Sequence, residues 1–222
     1  MSQHLQRAID NLKKMILMVG TVVEESLRDS IHAFLKRDEK LARGIIAKDT
    51  EIDQMEVEVE EECLKILALH QPVAIDLRYI VSVLKINNDL ERIGDLAANI
   101  AERVCYLGNK HYIYIPDTIP QMAKSVQEML KLSLDALVKS DIDLAEKAFS
   151  ADDYVDKLHS DMFPFVQEKI ETEPEKIPEW LQLLSISRYL ERAADHCTNI
   201  AEDVIYMVDG KIVRHSQMIE NE

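Results

Sequence analysis

The feature that most restricts how this chain can fold is that it contains itself twice. Ser30-Ile-His-Ala-Phe-Leu-Lys-Arg-Asp-Glu-Lys-Leu-Ala, laid over Ser133-Leu-Asp-Ala-Leu-Val-Lys-Ser-Asp-Ile-Asp-Leu-Ala 103 positions later, matches at Ser, Ala, Lys, Asp, Leu and Ala. The same offset sets Asp49 on Asp152 and Asp53 on Asp156. Further along, an offset of 100 sets Leu90-Glu91-Arg92 on Leu190-Glu191-Arg192, Asp95 on Asp195, and Asn99-Ile-Ala-Glu102 on Asn199-Ile-Ala-Glu202. A repeat this long means that one structural unit is built twice, and the drift from 103 to 100 is a three-residue deletion in a connection.

The unit is helical. Only 5 Gly and 6 Pro punctuate 222 residues, and apolar residues recur three and four apart between the breakers. Six helices are expected, at 3–36, 39–70, 73–107, 118–139, 142–172 and 177–208. Asp38 and Asp141 are suited to cap the second and fifth, and Pro164 is expected to kink the fifth by removing a backbone donor. Short connections force neighbouring helices antiparallel, so the expected fold is all-α: two tandem, pseudo-symmetric, antiparallel three-helix bundles. The first spans 1–108, a connection 109–117, the second 118–210, and a polar tail 211–222.

Charge excludes some functions. With 26 Lys+Arg against 41 Asp+Glu the formal net charge is −15, which argues against nucleic-acid binding. No apolar run reaches the roughly 20 residues of a spanning helix, and Lys13-Lys14 with Met15 to Val23 lacks a cleavage site, so a cytoplasmic protein without membrane insertion is expected. Cys63, Cys105 and Cys197 form no Cys-x-x-Cys and read as core fillers. Met15, Met18, Met55, Met122 and Met129 also read as core. His32, His70, His111 and His215 show no ligand spacing. Phosphate loops, a nucleophile with its base and a dinucleotide fingerprint are absent, so no catalytic residue is assigned.

The acids carry the remaining signal. With 41 acids, roughly seven acid-x-x-x-acid pairs arise by chance, so a single pair means little. Four of them, Asp49/Asp53, Asp152/Asp156, Glu91/Asp95 and Glu191/Asp195, instead sit at equivalent places on the second and third helices of both copies. Glu91, Asp95, Asn99 and Glu102 fall within a sector of about 80°. A solvated face usually sets Lys or Arg three or four residues from each acid, whereas Glu91 has Asn87, Asn88, Gly94 and Asp95 there. Two such rows on antiparallel helices could converge on a hard cation, with His159 or His196 extending the choice to zinc or nickel. A plain solvated acidic surface fits the same spacing.

At Asp49-x-x-x-Asp53, Leu90-Glu-Arg-Ile-Gly-Asp95 and Leu190-Glu-Arg-Ala-Ala-Asp195, with Gln71-Pro-Val-Ala-Ile-Asp-Leu-Arg78 opening the third helix, the chain resembles the PhoU family of phosphate-transport regulators over nearly its whole length. The resemblance implies paired three-helix bundles and multinuclear metal clusters, with iron suspected and zinc or nickel possible. One cluster would use Asp49, Asp53, Glu91 and Asp95, the other Asp152, Asp156, Glu191 and Asp195. Ala193-Ala194, where the family pattern has Ile-Gly, together with Arg188, departs from that pattern in the second.

The resemblance also implies a negative regulator of high-affinity phosphate uptake and of phosphate-responsive two-component signalling. The implied partners are the ATPase subunit of the phosphate ABC transporter and a phosphate-sensing histidine kinase, with a homodimer as the implied assembly. Two rival readings are a carboxylate-bridged metalloenzyme and a metal-free acidic adaptor. No Glu-x-x-His stands at the paired positions, which disfavours the enzyme.

Overall fold

The computed structural model describes residues 3–108 and 110–211; the expected tail from 212, with His215, lies outside them. Three long helices, α1 (Gln3–Lys36), α2 (Glu39–His70) and α3 (Ala74–Leu107), form the first half. The second half contains α4 (Thr118–Lys139), α5 (Ile142–Phe149), α6 (Asp152–Thr172), a 3-10 turn (Pro174–Lys176) and α7 (Ile177–Asp209). Helices α5 and α6 together occupy the place of α2, so two tandem three-helix bundles result.

Spacing explains each helix. Along α1, Leu5, Ile9, Leu12, Ile16, Val19, Val23, Leu27, Ile31 and Phe34 repeat every three or four residues, and all are buried. One such burial contributes roughly 1.5–3 kcal/mol, and the stripe faces α2 and α3. The turn that ends α1 recurs in the second half. Arg37 and Ser140 are both left-handed, at φ 55° and 51°. Asp38 N–H then donates to Ala33 O at 2.9 Å and Asp141 N–H to Ala136 O at 3.1 Å. Both aspartates cap the next helix, accepting from Leu41 N and Leu144 N.

The second half breaks at Ser150-Ala151, and α6 runs on as helix through Pro164. Ser150 closes α5 onto Glu146 O with both its N–H and its hydroxyl, so the helix restarts at Asp152. Pro164 and Ser160 are exposed, and water can serve the carbonyl that the missing donor leaves free. Met18 also departs from expectation: it is 62% exposed, whereas Met122 and Met129 are fully buried.

The halves meet along α3 and α7. Lys85 reaches Asp203 at 3.2 Å, Asp89 accepts from Asn199 at 3.2 Å and pairs with His196 at 2.8 Å, and Arg103 donates to Gln182 at 3.1 Å. Partner numbers fall on α7 as they rise on α3, so these helices are antiparallel. Asp89 and Asp203 are buried, and these contacts lock the register of the halves.

Helices α2 and α3 approach closely because Gly94 lacks a side chain. A Cβ there would stand 3.0 Å from Ile52 Cδ1 and 3.2 Å from its Cγ2. In the second half the matching residues are Val155 and Ala194, both buried, so one carbon has moved from one helix to the other and the summed volume is kept. Gly94→Ala should therefore be destabilising in the wild-type chain and neutral or better in an Ile52→Val background, with a coupling of about 1 kcal/mol. Urea midpoints of the four proteins in the cycle check this; additive effects would refute the packing account.

Candidate metal centre

Two contacts set α2 against α3. Beside the Gly94–Ile52 approach, Asn87, fully buried, donates from Nδ2 to Glu56 O at 2.8 Å. These fix the antiparallel register and carry the acidic row of one helix onto that of the other. Asp49, Asp53 and Asp95 result as a cluster: one carboxylate oxygen of each lies within 4.8 Å of the others. Among the described residues no other set of His, Cys, Asp and Glu meets that condition.

Electrostatics follow from the convergence. Burial first, then Asp95, Asp53 and Glu102, hold the Asp49 carboxyl above the ordinary carboxylate range. Burial, then Asp95, raise Glu91, with Arg92 opposing and Asp53 and Glu56 adding. Glu56 is raised by burial, Glu60 and Asp53. Oε2 of Glu91 is buried and accepts no well-formed hydrogen bond, although Arg92 Nε stands 3.3 Å away at a poor angle. Glu91 thus borders the three converging carboxylates without joining them.

The second half repeats this layout with less convergence. Asp152 is pushed up to about 6 by burial, then by Asp156 and Asp195, with the Thr198 hydroxyl opposing. Its Oδ1 is buried and accepts no well-formed hydrogen bond, so Thr198 moderates the charge without satisfying that oxygen. Burial and Asp195, then Asp156, raise Glu191, with Arg188 and Arg192 opposing; burial and Asp156 raise Asp195, with His196 and Arg192 opposing. Asp152, Asp156, Glu191 and Asp195 therefore sense one another, but under more cationic influence.

The contact that pins the helices also changes chemistry between the halves. At the places of Glu56 and Asn87 stand His159 and Ser187, with His159 Nδ1 2.9 Å from Ser187 Oγ. Ser187 gives its proton to Leu184 O, so the imidazole donates from Nδ1 and its Nε2 keeps a lone pair. Burial lowers the His159 pKa despite Asp156, favouring that neutral form.

One residue escaped the spacing argument. Arg92 lies beside Glu91 and three residues before Asp95, and donates from Nη1 to Asp95 Oδ2 at 3.0 Å. The acids of α3 are thus not without a cation, a fact visible in the sequence once neighbours are counted from Asp95 instead of Glu91. Cys63 and Cys197 are fully buried, as expected of core residues, and burial pushes the Cys63 thiol up to about 12.

Comparison with known proteins agrees with this architecture. Residues 5–104 and again 119–204 match the family described as the PhoU domain. A phosphate-specific transport system accessory protein PhoU homolog of Clostridium acetobutylicum is 37% identical over 207 residues, 92% of this chain and 94% of that protein. The homolog of the same description from Pseudomonas aeruginosa is 36% identical, covering 96% of this chain and 89% of its own. The crystal structure of PhoU from Pseudomonas aeruginosa superposes with a TM-score of 0.90 at 34% identity, covering 93% of this chain and 99% of that one. The phosphate transport system regulatory protein PhoU from Streptococcus pneumoniae gives 0.84 at 30% identity, covering 94% and 99%.

Asp152 binds its proton near 6 in the fold against 3.8 ordinarily. Its contribution to stability is thus fully present below about 3.8 and is lost as pH rises through about 6. Chelator-treated protein should lose stability across that window. Asp152→Asn should exceed wild type by roughly 1–2 kcal/mol at pH 7.5, allowing for partial exposure, and by less at pH 4. Urea midpoints at both pH values measure this; a pH-independent difference would remove the repulsion argument.

Proposed function

The chain belongs to the PhoU family, and on that footing we propose that it is a regulatory accessory protein of phosphate transport that acts by binding and not by turnover. Its role is to restrain high-affinity uptake, and the two-component system that responds to phosphate, when phosphate is plentiful. The partners are the ATPase subunit of the phosphate transporter and the sensor histidine kinase, met at the cytoplasmic side, with the protein itself a homodimer. The names borne by its full-length relatives support the transport role. A helical surface of net charge −15 suits docking on basic protein patches, where complementary charge sets orientation and on-rate. Among the described residues no helix is long and apolar enough to cross a membrane, so membrane contact would run through the partners.

The second part of the proposal is divalent cation binding at the acidic rows. The observation that carries it is the convergence of Asp49, Asp53 and Asp95, with the unsatisfied Glu91 Oε2 at their edge. Asp152, Asp156, Glu191 and Asp195 would form the second site, where the Asp152 Oδ1 is likewise unsatisfied. Carboxylates are hard donors suited to iron or manganese, and zinc or nickel are further candidates, more so beside His159. A bound cation would supply charge neutralisation and a cross-link between helices. The chain's own contribution is to hold its acids close enough to need one.

Protein purified without a polyhistidine tag should carry metal by elemental analysis, and the Glu91→Ala/Asp95→Ala double variant should carry clearly less; equal contents would remove the cation reading. Deleting the gene should raise phosphate-starvation transcripts in phosphate-rich medium. Transcripts that stay at the wild-type level would overturn the regulatory role independently of the metal question.

A further inference from the structure

We propose that Arg92 is the resident counter-ion of the first acidic cluster, holding Glu91 and Asp95 when no cation is bound and competing with one for Asp95. This rests on the cation-binding reading above and adds to it a device that sets the affinity of the site.

The geometry is that of one guanidinium serving two carboxylates. Nη1 lies 3.0 Å from Asp95 Oδ2 and Nε 3.3 Å from Glu91 Oε2. The same charge acts across the helix interface, opposing the rise of the Glu56 carboxyl on α2. Asp95 is also one of the three acids that converge with Asp49 and Asp53. It therefore belongs to two arrangements, and the guanidinium and a dication cannot both take full advantage of its charge.

Exposure makes Arg92 displaceable. Its side chain is 50% exposed and that of Asp95 35%, so the pair sits at the rim of the cluster, where an ion pair holds weakly and water readily receives the freed group. Arginine suits the task because it stays charged at every relevant pH. Cation entry at Asp95 would release Arg92 to solvent, converting occupancy of the cleft between α2 and α3 into a change of charge on the outer surface. Arg192 stands at the equivalent place and opposes the rise of both Glu191 and Asp195.

The test uses Mn2+ alone as probe, titrated calorimetrically into the chelator-treated full chain. Arg92→Gln should bind Mn2+ about three- to tenfold more tightly than wild type at low ionic strength. The gain should shrink at high salt. Arg92→Lys, which keeps the charge, should stay near wild type, and Arg28→Gln, an equally exposed arginine paired with Asp29 on α1, should leave affinity unchanged. Metal-free Arg92→Gln should also melt below metal-free wild type, with the deficit closing when Mn2+ is added. Circular dichroism checks that each variant is folded. Wild type that binds Mn2+ while Arg92→Gln binds it equally or more weakly overturns the counter-ion alone; wild type that takes up no metal overturns the counter-ion and the cation reading together.

Discussion

The proposed cation site depends on the helix pair α2 and α3 being packed tightly enough to hold like charges side by side. Two rows of carboxylates repel, and left to themselves they would separate. They are held by the apolar faces beneath them, by the contact of Ile52 on Gly94, and by Asn87 gripping the backbone of Glu56. The core thus supplies the free energy, and the acidic face stores a small part of it as raised carboxyl affinities for protons. Protons and Arg92 relieve this repulsion, and the proposed divalent cation would relieve it in a third way.

Duplication allows each contact to be judged against its counterpart. Ile52 with Gly94 becomes Val155 with Ala194, which keeps the volume and therefore the packing. Asn87 with Glu56 becomes Ser187 with His159, which keeps an inter-helix hydrogen bond but replaces the backbone carbonyl of Glu56 by an imidazole side chain as the partner. Alanine at 194 in place of the glycine is therefore no obstacle to helix approach. The larger difference is charge: Arg188, Arg192 and His196 surround the second set, whereas Arg92 acts nearly alone on the first.

The seam between halves has a different character. Lys85–Asp203 and Asp89–His196 join buried carboxylates to a lysine and an imidazole on the opposite repeat, and their positions are not equivalent under the duplication. Residue 189, which matches Asp89, is tyrosine, and residue 103, which matches Asp203, is arginine. Copies of one unit have diverged so that their contact surfaces complement each other instead of repeating. His196 also shows how close the seam comes to the second acidic set, since its neighbour in sequence is Asp195.

Much was legible from sequence because helices advertise themselves locally: the three-and-four spacing, the Asp caps and the internal repeat all act within a few residues along the chain. Helix ends, the acidic rows and the family resemblance followed from those. Local rules also misplaced details where solvent or neighbours decided. Met18 points outward although Met122 and Met129 are fully buried, and a break at Ser150 has no glycine or proline to announce it. Which acids converge, that Glu91 stays at the edge and that Asp89 reaches across to His196 were decided by tertiary structure alone. Periodicity gives the face on which a side chain stands; the distance between faces on two helices depends on the sizes of the residues packed between them.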